Sequence, residues 1–543
     1  MDAKPLPARP NLEQYKKQAK DLAKAFRSQS REAIDRVRDH PRFRALSDAD
    51  LARARLSLTD AQLVIAREHG FESWRQFARQ IETLNSQRAN LSSTDPVADF
   101  IQAACVPLDS SHASGTLERA EAILREHPKV ARSNIYTAAI LGDDGAVKKF
   151  LTQDPTLATA KGGSHGWDAL TYLCFSKYLR LDRSRSGAVV RTARLLLDAG
   201  ANAQTGWFEN NHQPKPEWES VIYGAAAVAQ NPELTRLLLE YGADPNDEET
   251  PYHVPEGYHN AVLRILIESG KLNADSVTTM LLRKTDWHDD EGIRYLLEHG
   301  ADPNRMTRWH HTALHHAVKR DNHTPIIEML LDHGADPSIS NRRDGRSATA
   351  MAARRGRGDI LKSIERRGIA LDLQGVDQLI AACAKDDTEE VRSLAKREPD
   401  LLRQLLAEGG TLLAEFSGTG NTEGVRQLLD LGVSPATLYD GDPYFDIAKD
   451  STALHVAAWR ARPATVKLLI QRGAPVNAPD GRGRTALFLA VRACVDSYWR
   501  ERRTPDSIET LLEAGASIAG IEIPTGYDEA DALLHHYKKR KKD

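Results

Sequence analysis

Three histidine pairs, His310–His311, His315–His316 and His535–His536, are the residues whose type and spacing first suggest chemistry, because imidazole is the commonest metal ligand among side chains. The pairs do not assemble a ligand set. His315 follows Thr312 by three residues, the spacing of a capping box in which an N-cap hydroxyl and the N3 side chain exchange hydrogen bonds, so a helix start accounts for it. The others lack the partners of a tetrahedral site. The four cysteines, Cys105, Cys174, Cys383 and Cys494, are scattered without a CxxC pair, which points away from a disulfide framework and from zinc. A GxSxG nucleophile elbow is not expected, and the chain carries no HExxH, no GxxxxGK[ST] phosphate loop and no EF-hand loop. The expectation is a protein that is not an enzyme, with no catalytic residues, no cofactor and no metal.

The elements that position the remaining residues must be numerous. At 543 residues the chain exceeds what one core can hold, since single cores stop growing near about 250–300 residues. With 41% hydrophobic and 27% charged residues it lies in the range of folded proteins. No apolar run approaches the roughly 18–20 residues of a spanning helix, and MDAKPLPARPNLEQYKK has no apolar stretch behind its charges. A cytoplasmic setting and no membrane contact are expected. The net charge of −3 is uneven, because residues 1–90 hold 18 Lys and Arg against 12 Asp and Glu.

A Leu-rich triplet followed by Gly-Ala recurs along most of the chain: LLLDAGANA from Leu195, LLLEYGADPN from Leu237, LLEHGADPN from Leu296, LLDHGADP from Leu330, LLIQRGAPVN from Leu468 and LLEAGASI from Leu511. Its glycines, among them Gly300, Gly334 and Gly368, recur at a period close to about 33 residues. An opening phrase precedes many of them: TALHHA from Thr312, TALHVAA from Thr452, TALFLA from Thr485 and a degenerate SATAMAA from Ser347. Thr312 and Thr452 suit N-caps, the alanines keep the first helix thin enough to stack, and the leucines stripe a second helix. The glycine just past that helix takes the left-handed conformation at least cost. No such unit can bury its own apolar face, so stability is expected from stacking, with mutations acting through nearest neighbours.

These phrases resemble the ankyrin signature T-P-L-H-x-A, over roughly residues 95–525. The resemblance implies an all-α ankyrin-repeat solenoid of about 11–12 helix-turn-helix units, some degenerate or carrying loop insertions. The units around residues 98–131 and 135–158 match weakly and read as a capping end. The domains expected are a small helical domain over 1–88, the array over 89–527, and a final helix with a basic tail over 528–543. In the first domain Leu12, Tyr15, Ala19, Leu22 and Phe26 share a helical face, Thr59 and Gln62 form a capping box, Gly70 ends that helix, and Trp74, Phe77, Ile81 and Leu84 stripe the next. SLTDAQLVIAREHGFESWRQF resembles the N-terminal region of a group of bacterial ankyrin-repeat proteins, and the polar residues 85–95 read as a linker.

In ankyrin proteins partners usually lie against the concave face, formed by the loop ahead of each TPLH and the exposed side of the first helix. Carried onto this sequence, that face comprises Arg308, Trp309, His311, Lys319 and Arg320, then Arg343, Arg346, Arg354 and Arg355, then Trp459, Arg460 and Arg492. Lys284 stands near a position where the family has a small alanine, with Trp287 and His288 after it. The implied function is a protein-interaction scaffold whose basic, Trp-bearing concave face grips an acidic surface or peptide, since Arg offers paired donors to carboxylates and Trp a rigid contact. For any single Arg a solvated surface is the alternative, and for Lys284 a structural ion pair with Asp286, Asp289 or Asp290. The insertions Arg180–Val190, Thr205–Ser220, Thr437–Asp450 and Cys494–Ser507 carry Trp207, Trp218, Tyr444, Phe445, Tyr498 and Trp499, either as binding loops or as packing over the adjacent unit. The alternatives to the scaffold are nucleic-acid binding through the basic N-terminal domain, which is not favoured because no recognition helix is identifiable, and an enzyme sited in the insertions.

Overall fold

The computed structural model describes residues 12–28, 30–38, 43, 56, 58–69, 71, 74, 77, 78, 81, 95–108, 111–209, 216–497 and 500–540. Gly70, Leu84, the linker positions 85–94, Tyr498, Trp499 and the tail end 541–543 lie outside them, as does the Thr59 side chain. The chain divides into two compact bodies, Met1–Ala104 with Leu117–Ser133, and Cys105–Thr116 with Asn134–Asp543.

In the first body the helices Leu12–Arg27 and Leu58–Glu68 pack together. The apolar stripe read from sequence is the core: Tyr15, Ala19, Leu22 and Phe26 are buried with Val64, Ile65, Phe77 and Ile81, and Leu12 and Trp74 cover its edge. Each fully buried Phe or Leu stabilises by about 1.5–3 kcal/mol. Arg36 on the helix Arg31–Val37 holds Glu68 through two hydrogen bonds of 2.7 and 3.0 Å. The pair Pro96–Ala104 and Glu118–Glu126, expected as the first unit of the array, sits in this body.

In the second body helices follow one another in pairs from Ile135 to Glu513. First helices stack on first helices, as Ala274–Asp286, Ala313–Lys319, Ala348–Arg354 and Val376–Lys385 do in succession. Second helices stack likewise, through Asp290–Glu298, Thr324–Asp332 and Gly358–Arg366. Ala317, Ala352, Ala353, Ala457 and Ala458 are fully buried between first helices, and the leucine triplets, such as Leu237 to Leu239, fill the second-helix stripe. Gly300 closes its helix at φ +88°, donating to the Leu297 carbonyl while Ala301 donates to that of Leu296, a reciprocal end that needs the left-handed residue. Both expected capping boxes form: Thr312 with His315, and Thr452 with His455. His455 Nδ1 accepts from the Thr452 amide at 3.0 Å, and its Nε2 donates to the Ala478 carbonyl of the following unit at 2.9 Å.

Three features depart from the regular array. Two insertions form short antiparallel hairpins, Gly206–Glu209 with Glu217–Ser220 and Leu438–Tyr439 with Ser451–Thr452. The unit formed by Val376–Lys385 and Thr388–Arg397 carries an extra helix, Pro399–Ala407, between its helix pair and the next. Units that are not neighbours also meet, so the expectation that mutations act only through nearest neighbours is corrected. Arg460 pairs with Asp321, 139 residues earlier, and Arg355 pairs with Glu415 at 2.9 Å. Asn421 Nδ2 donates at 2.7 Å to the carbonyls of both Gly356 and Ala384, the turns of two preceding units. Phe445, from the second hairpin's loop, is buried against Trp459 and Tyr439, so this insertion packs over the adjacent unit.

Candidate functional site

The residues expected on the basic face are dispersed. Lys284 is fully buried on the helix Ala274–Asp286; its Nζ lies 2.7 Å from Asp289 Oδ2 and donates to the Gly257 carbonyl at 2.9 Å. Asp289 also caps the next helix through the Gly292 amide, so Lys284 is part of an internal brace. Trp459 is buried, donating Nε1–H to the Phe445 carbonyl at 2.6 Å. Arg460 is 2% exposed and pairs with Asp321, its guanidinium 4.1 Å from the Phe445 ring centre. Arg355 is buried on Glu415, and Arg354 is half-buried between Asp377 at 2.6 Å and Glu408 at 2.5 Å. For these five the expectation of an open contact face is corrected: a cation facing the inside of a closely packed array is pulled onto the chain's own carboxylates, because leaving it unpaired costs far more than pairing it.

Arg320 and His316 hold Asp286 at 2.5 and 2.9 Å, and Arg320 also lies over the Tyr444 ring. Burial raises the Asp286 pKa, but the His316 hydrogen bond and the charges of His316, Arg320 and Arg283 outweigh it and hold the group at about 2. His311 is buried and pulled down to about 4 by that burial and by Lys319. Lys319 is half-buried, and His288 faces the Arg320 carbonyl at 3.0 Å. Trp287, Arg308, Arg343, Arg346 and Arg492 are exposed, with Arg308 paired to Glu248, Arg346 to Asp344 and Arg492 to Asp496.

Two pockets of the second body gather charge that sequence reading did not assign. The larger, about 720 Å³, is lined by Arg357, Lys362, Lys385, Arg462 and Arg502 with Asp321, Asp359, Asp386 and Glu423. Asp321 anchors it: burial would raise its pKa, but Arg460, Arg355, Arg357 and Arg462 hold it well below the carboxylate range. Cations crowd one another here, since Arg462 is brought down to about 9 by burial and by Arg502 and Arg460. Arg462 also donates to the Gly418 carbonyl at 3.0 Å. This arrangement can receive a carboxylate or phosphate among planar donors.

The second pocket, about 550 Å³, is acidic and aromatic, lined by Glu209, Glu217, Glu219, Glu249 and Glu256, by His112 and His253, and by Tyr223, Tyr252 and Trp309. Arg308 lies on its rim, 4.8 Å from the Trp309 ring centre. Trp309, expected on a basic face, thus lines an acidic wall. Burial and the neighbouring Glu249, Glu209 and Glu217 push Glu219 up to about 8. His253 lies between Glu249 at 3.1 Å and Glu256 at 3.0 Å; burial lowers its pKa, but those two hydrogen bonds outweigh it and bring it to about 9. Glu249 is raised by burial, yet hydrogen bonds with His253 and Glu217 leave it below its ordinary value. The signal for this pocket was present as Glu217-Trp218-Glu219-Ser220. Read with a period of two it puts Glu217 and Glu219 on one strand face, in a segment whose polar and proline residues otherwise predict a loop.

Gly162-Gly163-Ser164-His165-Gly166 has the spacing of a nucleophile elbow, so the expectation that GxSxG is absent is corrected. It forms the turn between the bridged residues Gly162 and Trp167, with Ser164 exposed, and not a strand-to-helix elbow. Among the described residues no helix is long and apolar enough to cross a membrane.

The family model described as ankyrin repeats (3 copies) matches residues 281–377 and 379–480. A curated relative from Rickettsia bellii (strain RML369-C), an ankyrin repeat protein by name, is 32% identical over 123 residues, 20% of this chain and 48% of that relative, so the chain spans about half the length of the relative it matches. The crystal structure of the human ASB11 ankyrin repeat domain is similar at 21% identity with a TM-score of 0.20, over 44% of this chain and 99% of that one.

Proposed function

We propose that this chain, an ankyrin-repeat protein, is an interaction scaffold that receives an acidic segment of a partner protein in its arginine-lined cleft. Ankyrin repeats are protein-interaction modules, and the cleft supplies what an acidic segment requires. The observation that carries the reading is the cation excess around Asp321. Arg355, Arg357, Arg460 and Arg462 all bear on this one buried carboxylate, and Arg502 adds to them from the cleft wall. Arg355, Arg357 and Arg502 have Glu415, Asp359 and Glu501 as further partners, but Arg462 remains depressed by its cationic neighbours. An incoming carboxylate relieves that repulsion and accepts paired hydrogen bonds from guanidinium groups. The four buried, unpaired thiols suit a reducing, cytoplasmic setting.

Fluorescence anisotropy with a labelled decaglutamate peptide tests the cleft. Binding is expected to weaken as salt rises, and to fall at least about tenfold when Lys362, exposed at the mouth, and Arg502 are both changed to Glu. Circular dichroism must match the wild type. Equal affinity of the doubly reversed protein for the peptide refutes the cleft as the acceptor.

A further inference from the structure

We infer that the acidic pocket between the first hairpin and the helix Glu249–His253 is a site for one hard divalent cation, manganese or calcium, ligated by Glu217, Glu219 and Glu249. The hairpin register sets Glu209 opposite Glu217 and Trp207 opposite Glu219, so three carboxylates share one face of two strands. Like charges directly opposite in a ladder destabilise it. The next unit adds Glu249 to the same place. Glu217, Glu219 and Glu249 each offer an oxygen, and the three oxygens lie within 4.8 Å of one another. Oxygens that share one ion at about 2.4 Å stand at most about 4.8 Å apart, so the spacing is that of a coordination sphere.

An independent observation points to a ligand. Glu219 is 1% exposed, lines the cavity, and its Oε2 has no hydrogen-bond partner among the described residues. His112 Nε2 is likewise buried and without such a partner, 3.8 Å from Glu209 Oε2, while its Nδ1 faces the Tyr223 hydroxyl at 3.2 Å. Glu219 Oε2 lies 3.9 Å from His112 Nδ1, beyond hydrogen-bond reach; a buried carboxylate oxygen without a hydrogen bond costs several kcal/mol in general, and a cation at the shared point offsets that cost. Carboxylate oxygens with at most one imidazole select calcium, magnesium or manganese, and an imidazole within reach favours manganese among them. The cavity leaves room for water to complete the sphere. Among the described residues, Arg283 pairs with Glu256 and Arg308 with Glu248, Arg308 also acts on Glu249 from the rim, and His253 bridges Glu249 and Glu256.

Titration calorimetry of the full chain, stripped with EDTA, against MnCl2 and separately CaCl2 tests the site. One saturating ion per chain is expected, at least about tenfold weaker in Glu219→Gln and unchanged in Lys362→Glu, which alters only the arginine cleft. Should Glu219→Gln fail to fold, Mn2+ electron paramagnetic resonance on the wild-type chain reads the same site, with the free-ion signal expected to disappear up to one equivalent. No saturable binding of either ion at millimolar concentration overturns the site, as does equal binding by a folded Glu219→Gln protein. Saturable binding of arginine amide without any metal binding assigns the pocket to an organic cation and overturns it equally.

Discussion

Replacing Asp321 with Asn removes the carboxylate that faces Arg460 across the inside of the array. Their side chains are 3% and 2% exposed, so solvent does little to screen the pair. Arg355 keeps Glu415 and Arg357 keeps Asp359, whereas Arg460 loses its paired carboxylate and retains its charge in the same buried place, with Glu415 still acting on it. Breaking one side of a buried pair costs about 3–5 kcal/mol, most of it the stranded charge. Because a long array does not unfold in a single step, native-state hydrogen exchange is the assay. Amides of Ala313–Lys319 and of Ala453–Trp459 should both exchange faster by at least about 100-fold, although three helix pairs separate them in sequence. The double variant Asp321→Asn with Arg460→Met should recover much of the loss, since an apolar replacement of a buried pair is often neutral. A single variant within about 0.5 kcal/mol of wild type would refute the argument. So would a loss confined to the units beside Asp321, which is the nearest-neighbour behaviour of an open stack.

Gly358→Ala places a Cβ 1.9 Å from the Ala384 carbonyl oxygen, a backbone atom that cannot rotate away. The stacking of Gly358–Arg366 on Val376–Lys385 should weaken by about 2–3 kcal/mol, seen as an earlier first melting transition, and an unchanged melt would contradict the packing. Asp286 has a folded pKa of about 2, below its unfolded value near 4, so its stabilising contribution is complete above about pH 4 and is lost as pH falls toward 2. That contribution is about 2–3 kcal/mol, and Asp286→Asn should flatten stability against pH across this window; an unaltered acid transition would show that the cluster of Arg283, His316 and Arg320 does not hold the carboxylate.

The repeat was legible because its determinants are local. A threonine three residues before a histidine caps a helix wherever it occurs, and a glycine after a leucine triplet ends one, so Thr312, His315 and Gly300 could be read without coordinates. Lys284 was legible in part: a cation at a packing position needs a partner, and Asp289 was one of the three candidates named. The hairpin of Gly206–Glu209 and Glu217–Ser220 was not, because polar and aromatic residues around Asn210 and Pro214 read as loop, and the strand alternation is only four residues long on each side.

Which charges meet was decided by the tertiary structure. Arg355, Arg460 and Asp321 stand at the ends of first helices in three different units, and nothing in their local sequence says that they meet. Packing brings those ends together, and a charge withdrawn from water must find an opposite one, so the arginines face inward on Asp321 and Glu415. The same closure made one cleft basic and another pocket acidic in a chain whose total charge is only −3. Periodicity and caps are properties of neighbouring residues and belong to the sequence. Charge pairing over 139 residues depends on how many small unit-to-unit rotations add, and no single unit encodes that sum.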